Sequence, residues 1–267
     1  MKARRYCYGV ALFVCLVQIG IARGGDDASQ PAYSGGWLIG TNGGTQFLSW
    51  SLTATGVPAN SAFFIGNSNS NAAGAGPGIN SGAGVAWGMF ANGNNAAIAT
   101  RPFVSALPVG QTFGVQMDNG FVDTSSSAGF SLADNLGVVR FSFRFVGGAS
   151  AYSISDGSGT FNTTLPFSGT GLNVAVDLLN PTGYQFTVTD IASATQYQHV
   201  GPLVNGNPID RFIGFSVNAG NNPANAVYFN RMAITPIPEP ATVLAICGLG
   251  GAAVPGIRRW RKFRKVA

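Results

Sequence analysis

Between about residues 35 and 235, apolar side chains alternate with polar ones instead of recurring at helical spacing. That is the two-residue period of a strand with one buried face. The clearest run is Val138–Val146, where Val139, Phe141, Phe143 and Phe145 share one side and Arg140, Ser142 and Arg144 the other. Gln46–Thr53 places Leu48, Trp50 and Leu52 on one face, and Phe113, Val115 and Met117 repeat the pattern. Leu172, Val174, Val176 and Leu178 form one arm of an expected hairpin and Tyr184, Phe186 and Val188 the other, with Asn180-Pro181-Thr182-Gly183 between them. Ile213, Phe215 and Val217 make a further set, and Val227, Phe229 and Ala233 close the series. No stretch of this region has a convincing amphipathic helical period. About a dozen strands separated by Gly, Asn and Ser turns predict an all-β fold, a two-sheet antiparallel β-sandwich over residues 35–235. Asn67–Gly84, rich in Gly, Asn, Ala and Ser, reads as an extended surface loop, and no fixed-period repeat suggests a solenoid or propeller.

The alternation stops at both ends. Residues 1–24 open with Lys2, Arg4 and Arg5, continue in an apolar core broken only by Gln18, and supply small Gly20 and Ala22 before a cleavage point. This is the layout of a secretory signal peptide, with a short permanent anchor as the competing reading. Cys15 follows Val14 in the apolar core, where a lipidation box needs a small residue. Residues 25–34 read as a short linker. Ala241–Ile257 carries no charge. As a helix it spans about 25 Å, slightly short of a ~30 Å hydrocarbon core, a difference that snorkelling or local thinning absorbs. A transmembrane helix is therefore expected, and Gly248, Gly250, Gly251 and Ala252 permit close helix approach. Arg258, Arg259, Arg261, Lys262, Arg264 and Lys265 form a basic stop that stays cytoplasmic under the positive-inside rule.

Charge is informative only through its placement. A formal net charge of +5 suggests a nucleic-acid or membrane-surface binder. Yet the lysines and most arginines lie in the terminal segments; between them, five arginines face nine aspartates, a net of −4. An acidic body has no electrostatic footprint for phosphate backbones, so no nucleic-acid partner is expected. Cys7, Cys15 and Cys247 also lie in the terminal segments. The body thus has neither a disulfide framework nor a Cys-ligated zinc site, and its roughly 200 residues must be held by their own core.

Pro238-Glu239-Pro240 precedes the apolar stretch, and Glu239 is the only Glu in the chain. A proline on each side disfavours helix and holds the tripeptide extended, a shape a peptidase cleft can bind. This tripeptide, the glycine-containing apolar stretch and the Arg-rich tail resemble the PEP-CTERM sorting signal, here over residues 236–267. The resemblance implies export across the inner membrane of a Gram-negative bacterium and temporary anchoring there. It also implies recognition by an exosortase-type membrane peptidase and a final place at the cell surface or in extracellular polysaccharide or biofilm. The body stretches "GVAWGMFAN", "ATRPFVSALPVGQTFGVQMDNGFVD" and "FRFVGGASAYSISDG" look like a sandwich module of other PEP-CTERM proteins, similar to the concanavalin A-like or laminin G-like jelly roll. No activity motif transfers with that likeness residue by residue.

The body offers little for catalysis. Glycoside hydrolysis generally needs two carboxylates roughly 5–10 Å apart with different protonation states. The body has no Glu; Asp118 and Asp123, flanking an expected turn, are the formal remaining pair. Serine chemistry needs a base beside the Ser. His199 is the only histidine, it reads as a strand-edge residue, and no Gly-x-Ser-x-Gly elbow, P-loop or dinucleotide fingerprint occurs. No cofactor is expected. Asp118, Asn119 and Asp123, or Asp156 with backbone carbonyls, are the candidate oxygens for a structural calcium, against the commoner reading of Asx turns. Sugar sites set an aromatic face beside amide or Gly-rich loops; Trp50 and Trp87 read as core, and Trp37, after Gly35-Gly36, as the more exposed ring. The expected function is therefore an exported, non-enzymatic surface or matrix protein that binds polysaccharide. The alternatives are an Asp-dependent carbohydrate-active enzyme and a purely structural, self-associating surface protein.

Overall fold

The computed structural model describes residues 25–71, 78–82, 84–220 and 223–237. The expected signal peptide, Pro238, Glu239 and Pro240, the apolar stretch and the basic stop lie outside the described residues. Fourteen strands carry the fold among those described. They are β1 (Ser51–Ala54), β2 (Ser61–Gly66), β3 (Ala86–Ala91), β4 (Ala96–Pro102), β5 (Gln111–Asn119), β6 (Ser127–Ala133) and β7 (Val139–Val146). Then follow β8 (Ala151–Asp156), β9 (Gly159–Pro166), β10 (Leu172–Asn180), β11 (Gly183–Asp190), β12 (Gln196–Pro202), β13 (Arg211–Val217) and β14 (Val227–Pro236).

The strands form two seven-stranded sheets, ordered β1-β4-β13-β6-β7-β8-β9 and β12-β11-β10-β5-β14-β3-β2. Each pairing between these strands is antiparallel, so the protein is an all-β two-sheet sandwich. Among the described residues the only helical pieces are short 3-10 turns, and no helix is long and apolar enough to cross a membrane.

The inner faces meet in one aromatic-rich core. Phe212 of β13 stacks on Phe130 of β6 with centroids 5.5 Å apart and reaches Phe113 of β5, across the sandwich, at 5.8 Å. Phe141 and Phe143 of β7 meet Phe186 of β11 at 5.2 and 5.0 Å. Full burial of each such ring contributes about 1.5–3 kcal/mol, with roughly 0.5–1.5 kcal/mol more for a well-placed pair. The expected hairpin forms where its turn residues stand: β10 and β11 pair from Leu172↔Asp190 to Asn180↔Gly183.

Several expectations are corrected. Residues 25–34 are not a linker: Asp26, Asp27, Ala28 and Tyr33 are buried, and Asp26 exchanges both backbone hydrogen bonds with Met232 at 2.8 Å. Residues 46–53 are not one alternating strand. β1 begins only at Ser51; Phe47 and Trp50 are buried while Leu48 points to solvent, because the chain before β1 runs as irregular backbone. In β13 the buried face carries Phe212, Gly214 and Ser216, so Ile213, Phe215 and Val217 face outward. Gly214 has Phe229, Phe212 and Met89 where a Cβ would stand, so aromatic rings fill the space its missing side chain leaves.

Two bulges explain further departures from simple alternation. In β7, Leu132 pairs with Phe141 but Ala133 pairs with Val139, leaving Arg140 as the extra residue. A bulge re-aims its side chain. Arg140, expected on the polar side, is buried and donates through Nη2 to Asn205 O and, at 3.2 Å, to Pro181 O. In β14 the register shifts between Asn230 and Ala233, with Arg231 at φ 48°. Val227 and Phe229 fill the main core before the shift and Met232 after it, so Ala233 does not continue their face.

The segment 67–84 is more than a surface loop. Ile79 is buried, Ser70 Oγ shares a 2.9 Å hydrogen bond with Tyr228 OH, and Asn230 Nδ2 donates to Ile79 O at 2.7 Å. Ile79, Ala86, Ala226 and Tyr228 form a second small apolar cluster, on the outer side of the second sheet.

Candidate functional site

The outer face of the first sheet is built from small residues flanked by larger ones. Phe130, Leu132, Phe141, Phe143, Ile154 and Phe212 enter the core, so their alternating neighbours face out. Across one rung the partners run Thr100, Ile213, Ser131, Ser142, Ser155 and Thr160. The next rung runs Ile98, Phe215, Gly129, Arg144, Ser153 and Asn162. Gly129, Ser131, Ser142 and Ser153, all nearly shielded from water by their larger neighbours, therefore form the low strip of this face, a trough read from side-chain size along the rungs. Ile98, Ile213 and Phe215 form its apolar wall, and Thr160 and Asn162 its polar one.

Gly129 is required by close backbone approach. A Cβ there would stand 2.3 Å from Phe143 O and 2.7 Å from Arg144 Cα. The bare floor at Gly129 lies directly between the half-buried Phe215 and Arg144. The Arg144 Nε is buried with no hydrogen-bond partner. Several floor hydroxyls are engaged internally: Ser142 Oγ donates to Phe130 O at 3.3 Å, Ser153 Oγ to Arg144 O at 3.5 Å, and Ser155 Oγ bonds Thr160 Oγ1 at 2.7 Å. An aromatic ring, a guanidinium with five fixed donors and flanking hydroxyl and amide groups suit a flat, hydroxyl-rich ligand, with Arg144 available to an anionic substituent.

The outer face of the second sheet differs. It carries Gln116 bonded to Asn173 at 2.8 Å and Thr112 bonded to Asp177 at 2.5 Å, with Thr187, Thr189, Gln196 and Gln198 on neighbouring strands. Burial pushes the Asp177 carboxyl up, against the Thr112 hydrogen bond that lowers it. Its aromatic residues, Phe64, Phe90 and Tyr228, gather with Ile79, and Tyr228 OH bonds Ser70. That face offers hydrogen bonding on β5, β10, β11 and β12, with its rings set apart on β2, β3 and β14.

The sequence-expected chemistry is dispersed. Asp118 is buried in β5, whereas Asp123 is exposed in the following loop. Asn119 Oδ1 accepts from Tyr152 OH at 2.6 Å, and Asp156 accepts from Ser158 N and Tyr184 OH. These candidate calcium oxygens are thus tied to protein donors, and among the described residues no three His, Cys, Asp or Glu side chains gather as a metal cluster. His199 sits on edge strand β12, 3.2 Å from Asp156 Oδ2 and against Phe161, with no serine hydroxyl bonded to it. Burial and the Asp156 carboxylate push the Tyr184 phenol well up. Trp37, expected as the exposed ring, is buried among Trp50, Trp87 and Phe63, with Trp50 at 5.0 Å. The glycines before it let the chain turn inward, and the partly exposed ring on the first sheet is instead Phe215, which the alternation had grouped with Ile213 and Val217.

No protein-family model matches the chain, and no curated protein matches it. Solved structures do. The catalytic domain of the glycoside hydrolase family 131 protein from Coprinopsis cinerea aligns at TM-score 0.51 and 12% identity, covering 79% of this chain and 91% of that one. A family 16 glycosyl hydrolase from Mycobacterium smegmatis aligns at TM-score 0.40 and 12% identity over 78% of this chain and 98% of that one. A tetrameric galectin from the ball sponge Cinachyrella aligns at TM-score 0.39 and 11% identity over 52% and 99%. At these identities the first likeness speaks for the sandwich fold alone, and the other two carry no argument.

Within that sandwich, the trough on the first sheet is the surface that combines an outward ring, a cation and hydroxyls on rigid strands. Of its residues, only Arg144 and Ser142 were expected to face out; Gly129 gave no sequence signal by itself.

Proposed function

We propose that the protein is an exported surface or extracellular-matrix component whose sandwich holds polysaccharide in the trough of the first sheet without cleaving it. The observation that carries this reading is the rung Phe215–Gly129–Arg144, a ring and a guanidinium on either side of a bare floor. A body without Glu and a His199 bonded to no nucleophile support the non-enzymatic part. Export, transient inner-membrane anchoring and recognition of Pro238-Glu239-Pro240 by an exosortase-type peptidase rest on the sequence of residues 236–267.

The test is retention of the protein on a panel of neutral and acidic polysaccharides, with product detection, beside Phe215→Ala and Arg144→Ala. Wild-type retention lost in both variants, with unchanged melting temperature, is the expected result. Loss in Arg144→Ala confined to acidic polysaccharides would assign the guanidinium to an anionic group. No retention on any polysaccharide, or equal retention of both variants, would overturn the reading. Release of sugar products would replace it with an Asp-dependent enzyme. Ligand-independent assembly without retention would make the protein a self-associating structural component.

A further inference from the structure

The end of the sandwich from which the chain leaves towards residues 238–267 exposes several aliphatic side chains among uncharged polar loop residues. β4, β6, β10, β12 and β14 finish there, and β5, β7, β11 and β13 begin there. Its loops expose Val104, Val109, Leu136, Val138, Leu179 and Val204, with Leu136 78%, Val104 58% and Val109 52% exposed. Three of them lie around two neighbouring clefts. Val104 and Leu136 line one cleft, Val109 lines a second, and the two clefts share Asn207 and Pro208. Val204 N donates to Arg140 O at 3.2 Å, beside the start of β7. Single exposed aliphatic residues need no explanation, but a contiguous patch does.

The chain exit adjoins this patch. Ile237 N donates to Gly110 O at 2.9 Å, and Gly110 N donates to Leu178 O at 2.8 Å, so β14 leaves beside Gly110, on the side away from Leu178, next to Val109. Four residue steps separate Ile237 from Ala241, where the uncharged stretch begins. Even fully extended they reach about 14 Å. A headgroup layer is roughly 5–8 Å thick. With residues 241–257 in a bilayer, the apolar end is therefore held at the membrane surface.

We propose that this end of the sandwich is a membrane-contact surface, seating Val104, Leu136 and their neighbours in the lipid interface while the chain remains anchored. The proposal rests on the reading that residues 241–257 span the bilayer. The patch's half-buried charges among the described residues, Asp210 and Arg211, pair with each other at 2.9 Å. Contact is thus driven by apolar burial and does not need anionic lipid. It also orients the sandwich, standing its strands off the membrane with the trough open along its side.

The experiment uses the full chain in phosphatidylcholine nanodiscs, one chain per disc, with the three native cysteines replaced by alanine. A spin label is placed at Leu136→Cys in one sample and at Phe121→Cys, an exposed residue at the opposite end, in another. Resistance of residues 241–257 to alkaline extraction reports the span separately. The expected result is an extraction-resistant chain in which the Leu136 label is at least tenfold less accessible to a water-soluble relaxation agent than the Phe121 label. Equal accessibility of the two labels in an extraction-resistant chain would overturn the membrane contact and leave the span intact. Extraction of the chain would overturn both. Shielding of Leu136 found only when several chains share a disc would assign the patch to a second copy and overturn the proposal. The same accessibility ratio in anionic discs is expected; shielding confined to them would overturn the apolar mechanism.

Discussion

Arg101 Nη2 meets Asp26 Oδ2 at 2.6 Å, with both side chains shielded from water. The pair joins the start of the domain to β4, whose inner face bears Ala97 and Ala99 beside Arg101 and so leaves room for it. Around the pair, Arg101 Nη1 donates to Tyr33 OH at 3.0 Å, Nη2 to Asn42 Oδ1 at 2.5 Å, and Trp50 Nε1 to Tyr33 OH at 3.1 Å. The guanidinium also lies 4.8 Å from the Trp50 ring centroid.

Removing one partner of such a pair leaves a buried charge uncompensated, at a cost of about 3–5 kcal/mol. Asp26→Ala is expected to destabilise the protein by that amount in denaturant titration. Tyr33→Phe should cost less, about 1–3 kcal/mol, by leaving neighbouring donors unpaired. A chain beginning at residue 35 should be less stable than one beginning at residue 25; equal midpoints would show that the segment contributes nothing.

Alkaline pH attacks the buried phenols. Burial pushes Tyr33 up to about 12, with the Arg101 charge pulling down and Asp26 pushing up, and burial drives Tyr152 and Tyr184 higher. These groups hold their protons more tightly in the folded chain than at the ordinary value near 10, so stability is intact below pH 10 and falls as pH rises beyond it. Phenolate absorbance should rise together with loss of near-ultraviolet dichroism above pH 10. Complete titration near pH 10 with dichroism retained would contradict the burial.

At Gly129 the expected sensitivity is to a single methyl. Gly129→Ala forces a Cβ against Phe143 O and should cost at least ~1–3 kcal/mol, the usual penalty of overpacking. Phe215→Ala, on the outward face one rung partner away, should change stability much less. Thermal melts of the two variants compare them directly.

For the proposed sorting signal, Glu239→Ala is expected to give an uncleaved, membrane-retained form. Fractionation of cells producing it reads this out, and release equal to the native protein would contradict the role of the tripeptide.

Strand content was legible because alternation is a local property. Phe141, Phe143, Val174, Val176 and Phe186 were assigned to the face they occupy. What stayed hidden depends on partners remote in sequence. Phe215 points out because Phe212 and Gly214 meet Phe229 and Met89, a choice of face that apolar spacing within β13 could not decide. Arg140 turns inward through one bulge residue. Asp26 and Asp27 look like a polar linker until Arg101, seventy-five positions away, is brought beside Asp26. The trough was invisible for the same reason, since its rung draws Phe215, Gly129, Arg144 and Ser153 from four strands.

The backbone pairing of Asp26 with Met232 has a temporal consequence. The first described stretch waits for a seam supplied by the last strand among the described residues. Such distant pairing delays closure. An exported chain would thus stay open, and threadable, until almost all of it had crossed, and its final stitch would form only when beginning and end stood on the same side.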